Sequence, residues 1–116
     1  MKELIIILMI VWSFNCLAQS PILPLEEWDN EQSNAYYKDL NNELNPFEGI
    51  WLYTNGNNSW KIHLEKQIMV FNNNYYEDLI VGEYQYKING LVVINTLSNI
   101  DVLSGYEHEI TGNSIF

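Results

Sequence analysis

The chain has 116 residues, enough for one domain, and is 47% hydrophobic and 14% aromatic, which excludes an intrinsically disordered chain. Fifteen acidic residues stand against five lysines and no arginine, for a net charge of −10. Nucleic acid is excluded as a partner and anionic membrane surfaces are disfavoured, because both need clustered Lys and Arg; the acidity reads first as a source of solubility.

Residues 1–18 read as a cleavable export signal. Lys2 supplies the positive start. Residues 4–14 then form an almost unbroken apolar run of eleven, too short for the roughly 20 residues that span a bilayer. Small residues follow, and cleavage is expected between Ala18 and Gln19. Cys16, the single cysteine, is a candidate for lipid attachment, but Asn15 and Ser13 suit that chemistry poorly, so release after Ala18 is preferred over an anchor. With one cysteine, the mature chain forms no disulfide. The expected location is periplasmic or extracellular, with no membrane span in the mature part.

Residues 19–46 read as an acidic arm rather than core, carrying Pro21, Pro24 and the acids Glu26, Glu27, Asp29 and Glu31. The arm is expected to drape over the domain or stay mobile, with a short helical turn in the region of residues 36–44. From Phe47 the apolar period becomes two. Strands are expected at 50–54, 60–64, 67–71, 79–88 and 91–97, with another at 106–111 and a further candidate at 100–103. Asn55-Gly56 and the asparagines at 72–74 mark turns.

The hairpin around Asn89-Gly90 can be registered from sequence as a two-residue type I′ turn. It puts Ile88 opposite Leu91, Tyr86 opposite Val93 and Tyr84 opposite Asn95. Tyr84, Tyr86, Ile88, Leu91 and Val93 then share one face, and Glu83, Gln85, Lys87, Val92 and Ile94 the other. Consecutive strands with short turns predict an all-β antiparallel meander, curled or partly closed to hide its edges. An up-and-down barrel typically has eight strands. At about ten residues per strand and turn, that needs more chain than follows Phe47. An incomplete barrel, or a shortened copy of a longer protein, is therefore expected over residues 47–116.

The run Phe47-Glu48-Gly49-Ile50-Trp51 resembles the Gly-x-Trp opening of lipocalin-like barrels, in which the glycine permits close approach and the tryptophan plugs one barrel end. A longer pattern is more specific. It comprises Tyr37-Lys38-Asp39, Asn41-Asn42-Glu43-Leu44, Phe47-x-Gly49-x-Trp51 and Tyr75-Tyr76-x-Asp78-x-Ile80-Val81-x-Glu83-Tyr84. It resembles a family of uncharacterised exported proteins of the Bacteroidota, a domain of unknown function, over roughly residues 1–100. The resemblance implies an exported β-rich protein. It carries no activity, so it assigns no residue roles. Members are typically longer, which agrees with the expectation of a shortened copy.

Catalytic constellations are hard to find. There is no cysteine nucleophile in the mature chain, no Gly-rich phosphate loop and no His-x-x-x-His spacing. His63 and His108 are not marked as members of a triad. In a strand, Glu107 and Glu109 would point away from His108, so their cluster reads as a solvated pair beside a rim or core histidine. His63, between Lys61 and Glu65, reads as solvated. Glu77-Asp78 offers too few oxygens for a calcium loop and reads as a polar loop.

The expectation is therefore no enzyme, no cofactor and no metal. The candidate ligand-binding residues are Trp51, Tyr53, Trp60, Tyr84 and Tyr86, an aromatic set suited to a small apolar ligand or to a packed core. The alternative is a structural or interaction module of the cell envelope, meeting a partner protein through exposed strand edges or the acidic arm. Neither the ligand, the partner nor the oligomeric state is written in the sequence.

Overall fold

The structure is a computed structural model that describes residues 21–27 and 31–113. The expected signal, its cleavage point and Cys16 lie outside the described residues. Among the described residues there are seven strands: β1 (Ile22–Pro24), β2 (Tyr36–Lys38), β3 (Gly49–Asn55), β4 (Asn58–Phe71), β5 (Tyr76–Ile88), β6 (Leu91–Asn95) and β7 (Ile110–Gly112). Four short 3-10 turns join them, at Leu25–Glu27, Asn45–Phe47, Leu97–Asp101 and Gly105–Glu107. No helix among the described residues is long and apolar enough to cross a membrane.

All seven strands belong to one curled sheet that forms a half-barrel. β5 is its spine. One edge of β5 pairs antiparallel with β4 along its length. The other edge is tiled by three partners: β2 at Tyr76 and Glu77, β7 at residues 80–82 and β6 at residues 85–88. Thr96 fills the gap between β7 and β6. Its N–H donates to the Tyr84 carbonyl at 2.8 Å, and its hydroxyl oxygen accepts the Tyr84 N–H at 3.0 Å.

The expected antiparallel meander is correct for β3 to β6 but not for the whole sheet. β1 pairs with β2, and β2 with β5, in parallel, so the sheet is mixed. Residues 19–46 are likewise more than a lead-in. Tyr36 and Tyr37 form a strand rather than a helical turn, and Leu25, Ala35, Tyr37 and Leu44 are buried core residues packed with Tyr75 and Ile80. This arm covers one face of β5, here called the inner face, at Asp78 and Ile80. The opposite, outer face is covered by the segment that follows β6, where Ile100 packs against Leu79 and Val81. That segment winds as 3-10 turns, so the strand expected at 100–103 is absent and the one expected at 106–111 shrinks to β7.

Two bulges correct the predicted register. The strands expected at 60–64 and 67–71 are one 14-residue strand, bent where Ile68 and Met69 together oppose Asp78. In the Asn89-Gly90 hairpin both turn residues have positive φ, as a type I′ turn requires, and Ile88 faces Leu91 as expected. Beyond Lys87 and Val92, however, Val93 is an extra residue, so Tyr86 faces Ile94 and Gln85 faces Asn95. Ile94 thereby moves from the face of Lys87 to the face of Tyr86, the one-residue flip that a bulge imposes.

Candidate functional site

Alternation along β5 sorts its chemistry. Asp78, Ile80, Gly82, Tyr84 and Tyr86 lie on the inner face, and Glu77, Leu79, Val81, Glu83 and Gln85 on the outer face. The ladder carries this order across to β4 and β3. Trp60 lies opposite Tyr86 and Tyr53, and Ile62 opposite Tyr84 and Trp51.

The inner face has two halves. Where the arm covers it, the Asp78 carboxylate accepts hydrogen bonds from the Tyr36 hydroxyl, the Met69 N–H and the Asp39 N–H. The Asp39 carboxylate in turn accepts the N–H groups of Glu43 and Leu44, each at 2.9 Å, and meets Lys66 Nζ at 3.1 Å. Burial and the Asp78 carboxylate beside it push the Tyr36 hydroxyl far up. Burial alone would raise the Asp39 carboxyl, but the N–H groups of Leu44 and Glu43 together with Lys66 outweigh it and hold it below the usual range. The oxygens of both aspartates are committed to the protein, so the Glu77-Asp78 step is no polar loop. Glu77 is buried as well, and burial pushes its carboxyl up despite the Asn113 amide at 2.8 Å.

The other half of the inner face is bare. Tyr53, Trp60, Tyr84 and Tyr86 line an open groove of about 440 Å³ with Ile94, and Asn55, Asn58 and Ser59 close its hairpin end. Trp60 sits between two tyrosines, with ring centroids 5.9 Å from Tyr84 and 5.8 Å from Tyr86, tilted by 57° and 55°. Among the described residues no charged one lines the groove. Of the five aromatic residues expected here, four meet in the groove. Trp51 does not: its indole N–H turns back to the Phe47 carbonyl at 2.9 Å and the side chain stays half-exposed. Nor does Gly49 serve a close approach, since a Cβ there would meet nothing within 4 Å.

Sequence reasoning missed four lining residues. Asn55, Asn58 and Ser59 were legible, because two-residue closure places them beside Tyr53 and Trp60. Ile94 was not, because it depends on the Val93 bulge.

The outer face holds a second buried polar group. His108 Nδ1 lies 2.8 Å from Glu83 Oε1, and both side chains are 0% exposed. Gln67 Oε1 accepts the Gly105 N–H at 2.8 Å, which turns its amide nitrogen toward His108 Nε2 at 3.5 Å. A histidine that accepts there carries its proton on Nδ1 and donates it to Glu83. Glu83 Oε2 has no partner among the described residues. The expected alternation through Glu107-His108-Glu109 fails because these residues end a 3-10 turn, though His108 is indeed a core histidine. His63, expected to be solvated, is partly covered and meets Glu65 at 3.2 Å. Among the described residues no three His, Cys, Asp or Glu side chains gather as metal ligands would.

No curated protein and no solved structure matches this chain. Over residues 1–116 it matches a family of unknown function (DUF6705), and it belongs to that family.

Proposed function

We propose that this chain is an exported, non-enzymatic binding module and that the aromatic groove is its site. One observation carries the reading. Four aromatic side chains with a shared inner-face register are left uncovered by any other element among the described residues, whereas on the same face Asp78 is bonded to the arm and Ile80 packs against it. A groove of this size falls in the range of about 300–1,000 Å³ typical of small-molecule sites. The leader at residues 1–18 supports export, and the longer pattern from Tyr37 to Tyr84 supports a Bacteroidota origin. The buried carboxylates are structural in this reading, because Asp39 and Asp78 spend their oxygens on backbone N–H groups, Lys66 and Tyr36.

Titration with the neutral fluorophore N-phenyl-1-naphthylamine, read by its emission and by tryptophan quenching, tests the groove. Binding that weakens in Trp60→Ala supports the reading, and no binding of this or any other small probe refutes it.

A second reading, an envelope interaction module, draws on the sheet edge. The outer edge of β3 pairs with no strand among the described residues, and its Ile50 and Leu52 are exposed on the outer face. Such an edge is a template for strand addition. A Leu52→Lys variant that abolishes a concentration-dependent assembly seen by sedimentation would favour it. A parent that sediments as a monomer at all concentrations and captures no envelope protein would count against it.

A further inference from the structure

We infer that the groove takes a neutral saccharide, an inference that rests on the binding reading above and narrows it to a ligand class. Three observations point there. The first is charge. Among the described residues the lining carries none and the chain carries −10, so an anionic ligand would be repelled.

The second is openness. Tyr53 is 66% exposed and Trp60 45% exposed, so an occupant is covered on one side only. A wholly apolar molecule would leave its outer side in water, whereas sites for such ligands bury about 70–90% of the ligand surface. A pyranose ring is two-sided in the required sense. Its C–H bonds form an apolar face that lies on an aromatic ring, and its hydroxyls project from the rim and remain hydrated.

The third is the polar rim of the groove. Trp60 Nε1 and the hydroxyls of Tyr53, Tyr84 and Tyr86 make no hydrogen bond among the described residues, and neither do the side chains of Asn55 and Ser59. Asn58 Oδ1 accepts the Asn89 N–H at 3.1 Å, which orients its amide nitrogen without using it. Indole N–H, phenol and amide groups beside aromatic faces supply both donors and acceptors. Saccharide hydroxyls need both.

The test is calorimetric titration of the purified protein with neutral hexasaccharides of glucose, xylose, mannose and N-acetylglucosamine, alongside N-phenyl-1-naphthylamine. At least one saccharide is expected to bind, and Trp60→Ala or Tyr86→Ala to weaken it about tenfold or more. Trp51→Ala, an aromatic change outside the groove, should leave saccharide affinity unchanged. The triple variant Tyr53→Phe, Tyr84→Phe, Tyr86→Phe should lose saccharide affinity and keep the fluorophore. Circular dichroism checks that each variant is folded. Fluorophore binding with no saccharide binding overturns the saccharide class and leaves the binding module standing. Silence from every probe overturns both. Saccharide binding indifferent to Trp60→Ala and Tyr86→Ala overturns the groove as its place.

Discussion

Asp39→Ala should be among the most damaging single changes in the arm. The Asp39 carboxylate closes the turn that carries Leu44 into the core, by accepting the N–H groups of Glu43 and Leu44 at 2.9 Å each. Truncation leaves both donors unpaired, and a buried unsatisfied polar group costs about 1–3 kcal/mol. Leu44 is buried and should sit at the upper end of that range, while Glu43 is exposed and should sit at the lower. Lys66 loses one partner but keeps Asn45 Oδ1 at 2.9 Å, which softens its share. The sum is about 3–4 kcal/mol, against about 5–15 kcal/mol for a typical domain.

Asp39→Asn keeps an acceptor oxygen and should lose about 1–2 kcal/mol. Urea unfolding reads both as shifts in midpoint at constant slope. The pH dependence follows from the lowered carboxyl. A group whose folded pKa is depressed stabilises fully above its unfolded value, about 3.9, and that stabilisation is lost as pH falls through the folded value. The gap between parent and Asp39→Asn should therefore narrow below about pH 4. An Asp39→Ala protein within about 1 kcal/mol of the parent at neutral pH, or a gap indifferent to pH, would refute the argument.

Gly82→Ala should destabilise by about 1–3 kcal/mol, because its Cβ would meet Leu64 Cδ2 at 2.6 Å and the His63 carbonyl at 3.1 Å; an unchanged urea midpoint would count against that packing. His108→Leu removes the side-chain partner of buried Glu83 and should cost about 3–5 kcal/mol, whereas Glu83→Leu with His108→Leu should recover much of the loss in the same assay. Glu77→Gln should raise the midpoint at neutral pH. Burial lifts the folded pKa of Glu77, so the charged form costs stability above that value, and the advantage of the amide should vanish below about pH 4.

The strands were legible where one face is bare and the period is clean, as at β3, the first half of β4 and the Asn89-Gly90 hairpin. They were only partly legible where both faces are covered: the strand expected at 79–88 in fact begins at Tyr76. At residues 77–83 the sequence Glu-Asp-Leu-Ile-Val-Gly-Glu shows no alternation, because the arm covers one face of β5 and the segment after β6 covers the other. Its acids are buried by partners far along the chain, Tyr36 and Asp39 for Asp78 and His108 for Glu83, and no local pattern announces them. The parallel pairing of β2 was hidden for the same reason: a three-residue strand is defined by its neighbours rather than by its own period. Four groove aromatics were legible because cross-strand register is arithmetic. Ile94 was lost to a one-residue bulge that arithmetic does not contain.

Stability and surface chemistry thus occupy opposite ends of one strand. From Glu77 to Glu83, β5 is buried, with covered groups on both faces. From Tyr84 to Ile88 it is half-buried or open, with its side chains meeting neighbours mainly across the ladder. A core-building end would be served by Leu, Ile and Val. The inner face there carries Tyr and Trp instead, which gain β-propensity and cross-strand contacts while their polar tips stay wet. Such side chains can stand uncovered where aliphatic ones would drive association, and the charge of −10 adds further resistance to it. Changes at Trp60 or Tyr86 should accordingly spare the fold that Asp39 and Gly82 hold, because the groove lies outside both buried clusters.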